Sequence, residues 1–295
     1  MVACWSRIIG LLVAILALAL VQGCSAVKLA YNNLPEVAYW WLDGYADLND
    51  AQSLKVRSEL ARLQQWHRGT ELPKVADLLQ KVTLLAPKDT TAEQVCALFT
   101  EVRGRLDAVV TQAEPAAVAL AMSLSPAQLT HVEGKFAKTN AEWRDEWMAG
   151  SADERQAKRL KGAIERSEQF YGTLEERQLA VLRGALARSD FDPQFSYTER
   201  LRRQRDLVQT LREVSSAVDG TRLGVPQATA ALRAYLDRTA NSPNPAYRVW
   251  SDKAILDNCR TVALLHNSTT AEQRERAARR LGAYERDARE LSAQR

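Results

Sequence analysis

The side chains best suited to chemistry are four cysteines and three histidines. His67, His131 and His266 lie far apart, and none has a His or Cys three or four residues away, so the spacing predicts no metal site. The chain has no HExxH, GxSxG, P-loop or GxGxxG motif. Asp43, His67 and His266 could converge in three dimensions, and 36 acidic residues allow many carboxylate pairs. Because no set is singled out, we predict no catalytic, cofactor-binding or metal residue.

The N-terminus carries the clearest targeting pattern. Arg7 precedes an apolar run from Ile8 to Val21, which at 1.5 Å per residue is too short to cross the hydrocarbon core. A basic residue before such a run is typical of a secretory signal peptide. The following residues, Val21-Gln22-Gly23-Cys24, resemble the lipobox of bacterial lipoproteins, although the consensus has Leu and then Ala or Ser in place of Val21 and Gln22. The resemblance implies removal of residues 1–23 and acylation of Cys24; the alternative is an ordinary secretory peptide with an incidental cysteine.

Lipidation implies the location and one partner. A triacylated N-terminus is a lasting attachment, because each buried methylene group contributes about 0.8 kcal/mol. In Gram-negative lipoproteins, Asp after the acylated Cys is the usual signal for inner-membrane retention. Residue 25 is Ser, so the resemblance implies the outer membrane, facing the periplasm. The net charge of +4 is small and interspersed, which argues against a nucleic-acid partner.

Two cysteines, Cys96 and Cys259, remain after Cys4 is removed and Cys24 is acylated. An even number of thiols in an oxidising compartment favours one disulfide. Both residues stand among apolar neighbours on predicted helices, so each helix is expected to turn that face inward. Two free, buried cysteines are the alternative, because no spacing rule pairs them.

The mature region, residues 24–295, is predicted to be an all-α array of about ten helices. Apolar residues recur at helical spacing, for example Val95, Phe99, Val102 and Leu106. Gly, Pro and polar clusters predict breaks between helices, including breaks at residues 69–73 and at Pro115. A possible internal boundary lies near residues 219–225.

Several helices are predicted to begin with a capping box, in which a small polar residue stands three positions before Gln. Thr90-Thr91-Ala92-Glu93-Gln94 is repeated identically at residues 269–273, and residues 48–52 (LNDAQ) and 124–128 (LSPAQ) have the same form. The capping role alone explains the repetition. The pentapeptides also resemble the LTxxQ motif of periplasmic Spy-type chaperones, which are helical proteins that hold unfolded clients. That likeness covers only short patches, and no literal LTxxQ occurs.

Aromatic residues form a candidate interaction surface. In one interpretation the rings contact lipid headgroups or a peptide; in the other, which we favour, the adjacent tryptophans pack on two neighbouring helices. Trp41 and Tyr45, four residues apart, are expected to share a helix face. The candidate residues are Tyr39, Trp40, Trp41, Tyr45, Trp143 and Trp147.

A broader resemblance covers much of the mature chain. It rests on residues 24–33, 40–45, 52, 66–68 and 72–73, and on residues 259–264, 266–270, 273–274 and 284–286. These segments are similar to an uncharacterised family of Gram-negative lipoproteins, a domain of unknown function. The sequence therefore favours a lipid-anchored helical protein that scaffolds envelope components or binds envelope proteins or unfolded clients. The alternative is an envelope enzyme that acts on glycan or lipid at a carboxylate or histidine site.

The lipobox predicts that Cys24→Ser abolishes metabolic labelling with palmitate, because the substituted side chain lacks the thiol that accepts diacylglycerol. The variant is also expected to accumulate uncleaved, since the lipoprotein peptidase recognises the lipidated thiol. Gel mobility and labelling measure both effects. Labelling that persists in the variant contradicts the prediction.

Overall fold

The computed structural model describes residues 22–218 and 221–294. Residues 1–21 of the predicted signal peptide and the side chain of Cys24 lie outside the described part of the chain. Cleavage and acylation therefore stay predictions. The helices are α1 (Gln22–Asn32), α2 (Leu34–Ala46), α3 (Asp50–Trp66), α4 (Leu72–Leu85), α5 (Ala92–Ser123), α6 (Pro126–Trp147), α7 (Ala152–Tyr171), α8 (Glu176–Ala187), α9 (Pro193–Ser215), α10 (Val225–Ala240), α11 (Pro245–Ser268) and α12 (Ala271–Ala293). A π-helical turn, His67–Glu71, joins α3 to α4. The all-α prediction is confirmed.

The only strands among the described residues are a two-residue antiparallel pair, β1 (Ala217–Val218) and β2 (Thr221–Arg222). They close the turn between α9 and α10, which pack against each other through Val214 and Ala228. Of the possible internal boundary near residues 219–225, the described residues 221–225 comprise β2 and the start of α10, and the helices on its two sides pack together.

Helix starts follow the capping chemistry that the sequence predicts. All four predicted boxes form, on Asn49, Thr91, Ser125 and Thr270, and each cap oxygen accepts from the backbone N–H of the Gln three residues later. A further box has Ser151 and Glu154.

Two predicted breaks are wrong. Pro115 lies inside α5, although it removes a backbone hydrogen bond at a cost of about 3 kcal/mol. Packing compensates locally, because Glu114 forms a bidentate pair with Arg233 of α10 at 2.7 and 2.6 Å and Val118 is buried one turn later.

The predicted break at residues 69–73 is the π-helical turn. Its wider spacing lets the N–H of Leu72 donate to the carbonyl of His67, so the chain stays helical from α3 into α4. Glu71 is buried in this turn, and its carboxylate accepts from Lys74 at 2.6 Å and from Arg105 of α5 at 3.2 Å. The hydrogen bond from Lys74 and the nearby positive charges lower the pKa of Glu71.

The helices pack in two groups around several small hydrophobic clusters. The first group contains α2, α3, α6, α9 and α10, and the second contains α1, α4, α7, α8, α11 and α12. Helix α5 joins them, since its C-terminal half packs in the first group through Val118 and its first turn packs on α11 through Val95.

A pair of buried glutamines joins two helix starts in the first group. Gln128 Nε2 donates to Gln52 Oε1 at 2.7 Å, and Gln52 Nε2 donates back at 3.3 Å. Gln52 Nε2 also donates to the carbonyl of Ser123, and Gln128 Nε2 to that of Asp47. Each amide therefore completes its own capping box and ties α3 to α6.

The second group repeats this arrangement. Gln178 Nε2 donates to Gln273 Oε1 at 2.6 Å, and Gln273 Nε2 donates back at 3.1 Å. Their amides also reach the carbonyls of Ser268 and Thr173, which ties α8 to α12. The sequence analysis missed the residue 174–178 box because its cap position is Glu175, which is not a usual N-cap residue.

The predicted disulfide is present. Cys96 of α5 and Cys259 of α11 are bonded, with their Cα atoms 5.5 Å apart and a sequence separation of 163. Cys259 is fully buried and packs with Val95 and Ala263. The bond thus fixes the beginning of α5 to the middle of α11.

We expect the double variant Cys96→Ser/Cys259→Ser to lose about 5 kcal/mol of unfolding free energy in the chain-entropy account, because the bond closes a very long loop. Urea unfolding of the oxidised mature protein and of the variant measures the difference. The wild type under reductant is the control and should match the variant. Equal midpoints for the oxidised wild type and the variant contradict the expectation.

We expect Gln178→Ala to cost about 3 kcal/mol, because it leaves the buried Gln273 amide and the carbonyl of Ser268 without their partner. Gln94→Ala is the matched control, since Gln94 completes the same kind of capping box but is exposed. Its cost should not exceed about 1 kcal/mol. Thermal or urea unfolding compares the two, and equal losses would show that the paired amides add nothing to local capping.

Candidate functional site

Three helices form the sides of a triangle. Helix α5 meets α11 at the disulfide and meets α9 where Val118 contacts Val214. Helix α9 meets α11 at an aromatic cluster of Phe195, Tyr247 and Trp250, whose ring centroids lie 5.4 to 5.7 Å apart. At 1.5 Å per residue, the sides between these contacts are about 35 Å on α5, about 29 Å on α9 and about 18 Å on α11. Since the two shorter sides together exceed the longest, the three contacts do not lie on one line, and α5 and α11 diverge from each other away from the disulfide.

The middle of helix α5 lacks buried side chains. Between Val95 and Val118, a stretch that the structure describes completely, no side chain is buried. The α5 face that meets α11 at the disulfide continues as an apolar stripe with spacings of three and four residues. Its members are Phe99, Val102, Leu106 and Val110, which are 40% to 61% exposed.

Helix α11 presents a second stripe. Val249 and Leu256 share the helix face of Cys259 and Ala263, because these positions are spaced three, four or seven residues apart. Val249 is 71% exposed and Leu256 38%, whereas Cys259 and Ala263 are buried. The two faces meet at the disulfide, and away from it each carries exposed apolar side chains. We call these two stripes together the apolar trough.

The predicted aromatic surface on α2 is divided. Tyr39 is buried, with its hydroxyl donating to Ser53 of α3 at 3.1 Å and the Arg57 guanidinium 3.6 Å from its ring. Trp40 and Trp41 are 63% and 62% exposed. The interpretation that both tryptophans pack on neighbouring helices is wrong, because α2 uses the Tyr39 side of its surface for packing on α3 and turns the next two residues away.

The expected face sharing of Trp41 and Tyr45 is confirmed, with ring centroids 4.9 Å apart. Tyr45 continues this contact to Phe136 of α6 at 5.8 Å. Trp143 and Trp147 are half-buried at the end of α6, where Trp143 stacks on Tyr197. The structure therefore does not unite the six predicted aromatic residues in one surface.

A family model for a family of unknown function (DUF6279) matches residues 44–225, which is more than half of the chain. The chain belongs to this family. No curated protein and no solved structure matches it. The match ends at the start of α10. Helix α11, which carries Cys259 and the second apolar stripe, therefore lies beyond it.

The histidines of this family member are engaged separately. His266 Nε2 donates to the carbonyl of Lys88 at 2.8 Å, so its Nδ1 accepts from the Tyr171 hydroxyl at 2.9 Å. Burial lowers the pKa of His266 and raises that of Tyr171 to about 12. Both side chains are therefore neutral at pH 7 and act here as a hydrogen-bonded link between α7, α11 and the loop that joins α4 to α5.

His67 lies in the π-helical turn with its Nδ1 3.0 Å from the Tyr31 hydroxyl, and burial lowers its pKa. Asp43 accepts from the backbone N–H of Leu48 at 3.0 Å. Asp43, His67 and His266 thus have different partners on different elements, and the structure does not bring them together. Among the described residues, no group of three His, Cys, Asp or Glu side chains is placed to hold a metal ion.

Within the part of the chain that the structure describes, no helix is by itself long and apolar enough to cross a membrane. Helices α5 and α6 pass that test only as a pair, across a bend of 110°.

The sequence showed the α5 stripe as helical periodicity and did not show that it is exposed. Periodicity shows which residues share a face and not whether another helix covers them. The sequence carried one signal of this exposure, which is the length of the stripe. The stripe continues for about four turns beyond Cys96, and one short neighbouring helix does not bury that length.

Proposed function

We propose that this protein is a lipid-anchored protein of the cell envelope that holds extended apolar segments of unfolded or partly folded proteins in the apolar trough. The lipobox supports the anchor and its periplasmic side. The disulfide supports an oxidising compartment, where such bonds persist. The observation that carries the binding role is the pair of exposed stripes on α5 and α11.

The dimensions of the trough favour an extended chain. From Phe99 to Val110 the α5 stripe runs about 17 Å, which corresponds to about five residues of an extended segment at 3.3 Å per residue. Contiguous exposed apolar surface on a folded protein marks interaction sites. The capping pentapeptides that resemble those of Spy-type chaperones point towards the same class of client.

The related alternative is a fixed scaffold for one envelope partner. A scaffold would bind one particular segment, whereas a protein that holds unfolded clients would bind many. The enzyme alternative stays a prediction. Within the described residues, the carboxylates Asp190 and Asp257 on a large cavity are both ion-paired with Lys253, which supports binding over acid–base chemistry there.

We expect Val102→Asp/Leu106→Asp to weaken suppression of client aggregation at least threefold, because two charges in the trough oppose apolar contact. Light scattering of a reduced, aggregating reporter protein measures the effect on the mature chain. Both positions are exposed, so the variant should fold, and its circular dichroism checks this.

Leu54→Asp/Leu84→Asp is the matched control. These leucines are at least as exposed but lie on α3 and α4, outside the trough. Control and trough variants that suppress aggregation equally would refute the assigned surface. Loss of binding to a single envelope protein, with client suppression unchanged, would favour the scaffold instead.

A further inference from the structure

A separate cavity of about 940 Å³ lies between α7, α8 and α11. On α11 its wall is formed by Trp250, Ala254, Asp257 and Thr261, spaced four, three and four residues apart. By the 100° advance per residue of an α-helix, this face is centred about 120° away from the one that carries Val249 and Leu256. The cavity is therefore independent of the apolar trough.

Helix α7 lines the cavity with arginines on one face. Arg155, Arg159 and Arg166 stand at spacings of four and seven residues, with Gly162 between the last two. Because Gly162 has no side chain, the Arg166 guanidinium can lie close to its Cα. A Cβ at position 162 would be only 3.2 Å from Nη1 of Arg166. The glycine thus leaves room for the cation at the cavity wall.

Two of these arginines have neutral partners. Arg155 donates to the carbonyls of Met148 and Gly150, and Arg159 donates to the Ser189 hydroxyl at 2.9 Å. No carboxylate of the described residues lies within ion-pair distance of Arg155, Arg159 or Arg166.

Arg159 is the least solvated of the three. Its guanidinium is 4.5 Å from the ring of Phe191, and burial lowers its pKa. A guanidinium keeps its charge at neutral pH nonetheless. The wall therefore holds a partly desolvated positive charge without a counter-ion.

The acidic residues of the cavity are mostly compensated. Asp190 and Asp257 pair with Lys253, and Glu165 lies 3.9 Å from Lys161. Glu146 remains, while Lys158 on the same wall donates to its backbone carbonyl rather than to its carboxylate. Positive charge is thus in excess on the α7 side.

The wall formed by α8 is apolar. Leu182, Ala185 and Leu186 of α8 and Ala163 of α7 line the cavity, and aromatic rings stand at one end. Its volume lies in the range of about 300–1,000 Å³ that is typical of small-molecule sites.

We propose that this cavity binds an amphiphile with an anionic phosphate head, whose oxyanion contacts the arginines of α7 and whose apolar part lies against α8. Guanidinium groups form paired hydrogen bonds with phosphate oxygens. The small apolar side chains of α8 leave space for methylene groups.

Titration calorimetry on the mature protein tests this with dihexanoylphosphatidic acid below its micelle concentration. We expect binding that weakens about tenfold in Arg159→Gln and about tenfold in Arg166→Gln, since one lost charge-assisted contact is worth about a factor of ten. Arg166 has no protein partner among the described residues, so its substitution keeps the test valid if Arg159→Gln impairs folding. Arg183→Gln is the control, because Arg183 pairs with Glu176 outside the cavity. This variant should bind the amphiphile with the affinity of the wild type.

Two further probes separate the sources of affinity. Inorganic phosphate should bind at least tenfold more weakly than the amphiphile, and octyl glucoside, which is uncharged, should not bind. Equal affinity for phosphate alone overturns the assigned apolar part, and equal affinity for octyl glucoside overturns the anionic part. Absence of amphiphile binding, or equal binding by Arg166→Gln and Arg183→Gln, overturns the proposal.

Discussion

Helix α5 has buried apolar side chains near its two ends and none between Val95 and Val118, where ion pairs of Arg105 with the buried Glu71 and of Glu114 with Arg233 hold it. At its start the disulfide and Val95 fix it to α11, and near its end Val118 packs on α9 and α10. A stretch of about 35 Å therefore spans the two helix groups with its apolar face in solvent. Isolated helices of this kind are marginal in water, so the fixed ends and these ion pairs are what keep the middle helical. The apolar trough exists because of that constraint.

Small clusters rather than one large core stabilise each group, and this gives the buried polar groups an unusual role. An apolar core accepts many similar packings, whereas an amide pair is satisfied only in one register. Gln52 with Gln128, and Gln178 with Gln273, each fix the relative position of two helix starts. The same side chains also complete their own helix caps, so a shift of either helix would leave several buried groups unpaired.

The fold class, most helix starts and the disulfide were predictable from the sequence because they depend on local or countable features. Capping boxes need only residues three positions apart, and an even number of thiols suggests a bond. The pairing of the glutamines was not predictable, because it depends on which helix starts meet. Arg155, Arg159 and Arg166 resemble a solvated helix face in sequence, and only the position of α8 and α11 makes them line a cavity. Pro115 shows the same limit, since tertiary packing outweighs its local cost.

Helix α11 forms a wall of both proposed sites, which raises the question of whether they are coupled. Coupling requires an element with two arrangements that each ligand favours differently. Helix α11 is held by the disulfide towards one end and by the aromatic contacts of Tyr247 and Trp250 with Phe195 at the other. Its Leu265 also packs with Leu174 and Leu182. A helix fixed at three points has little freedom to rotate or translate, so one face can be filled without displacing the other. We therefore expect each of the two proposed sites to be occupied without an effect on the other.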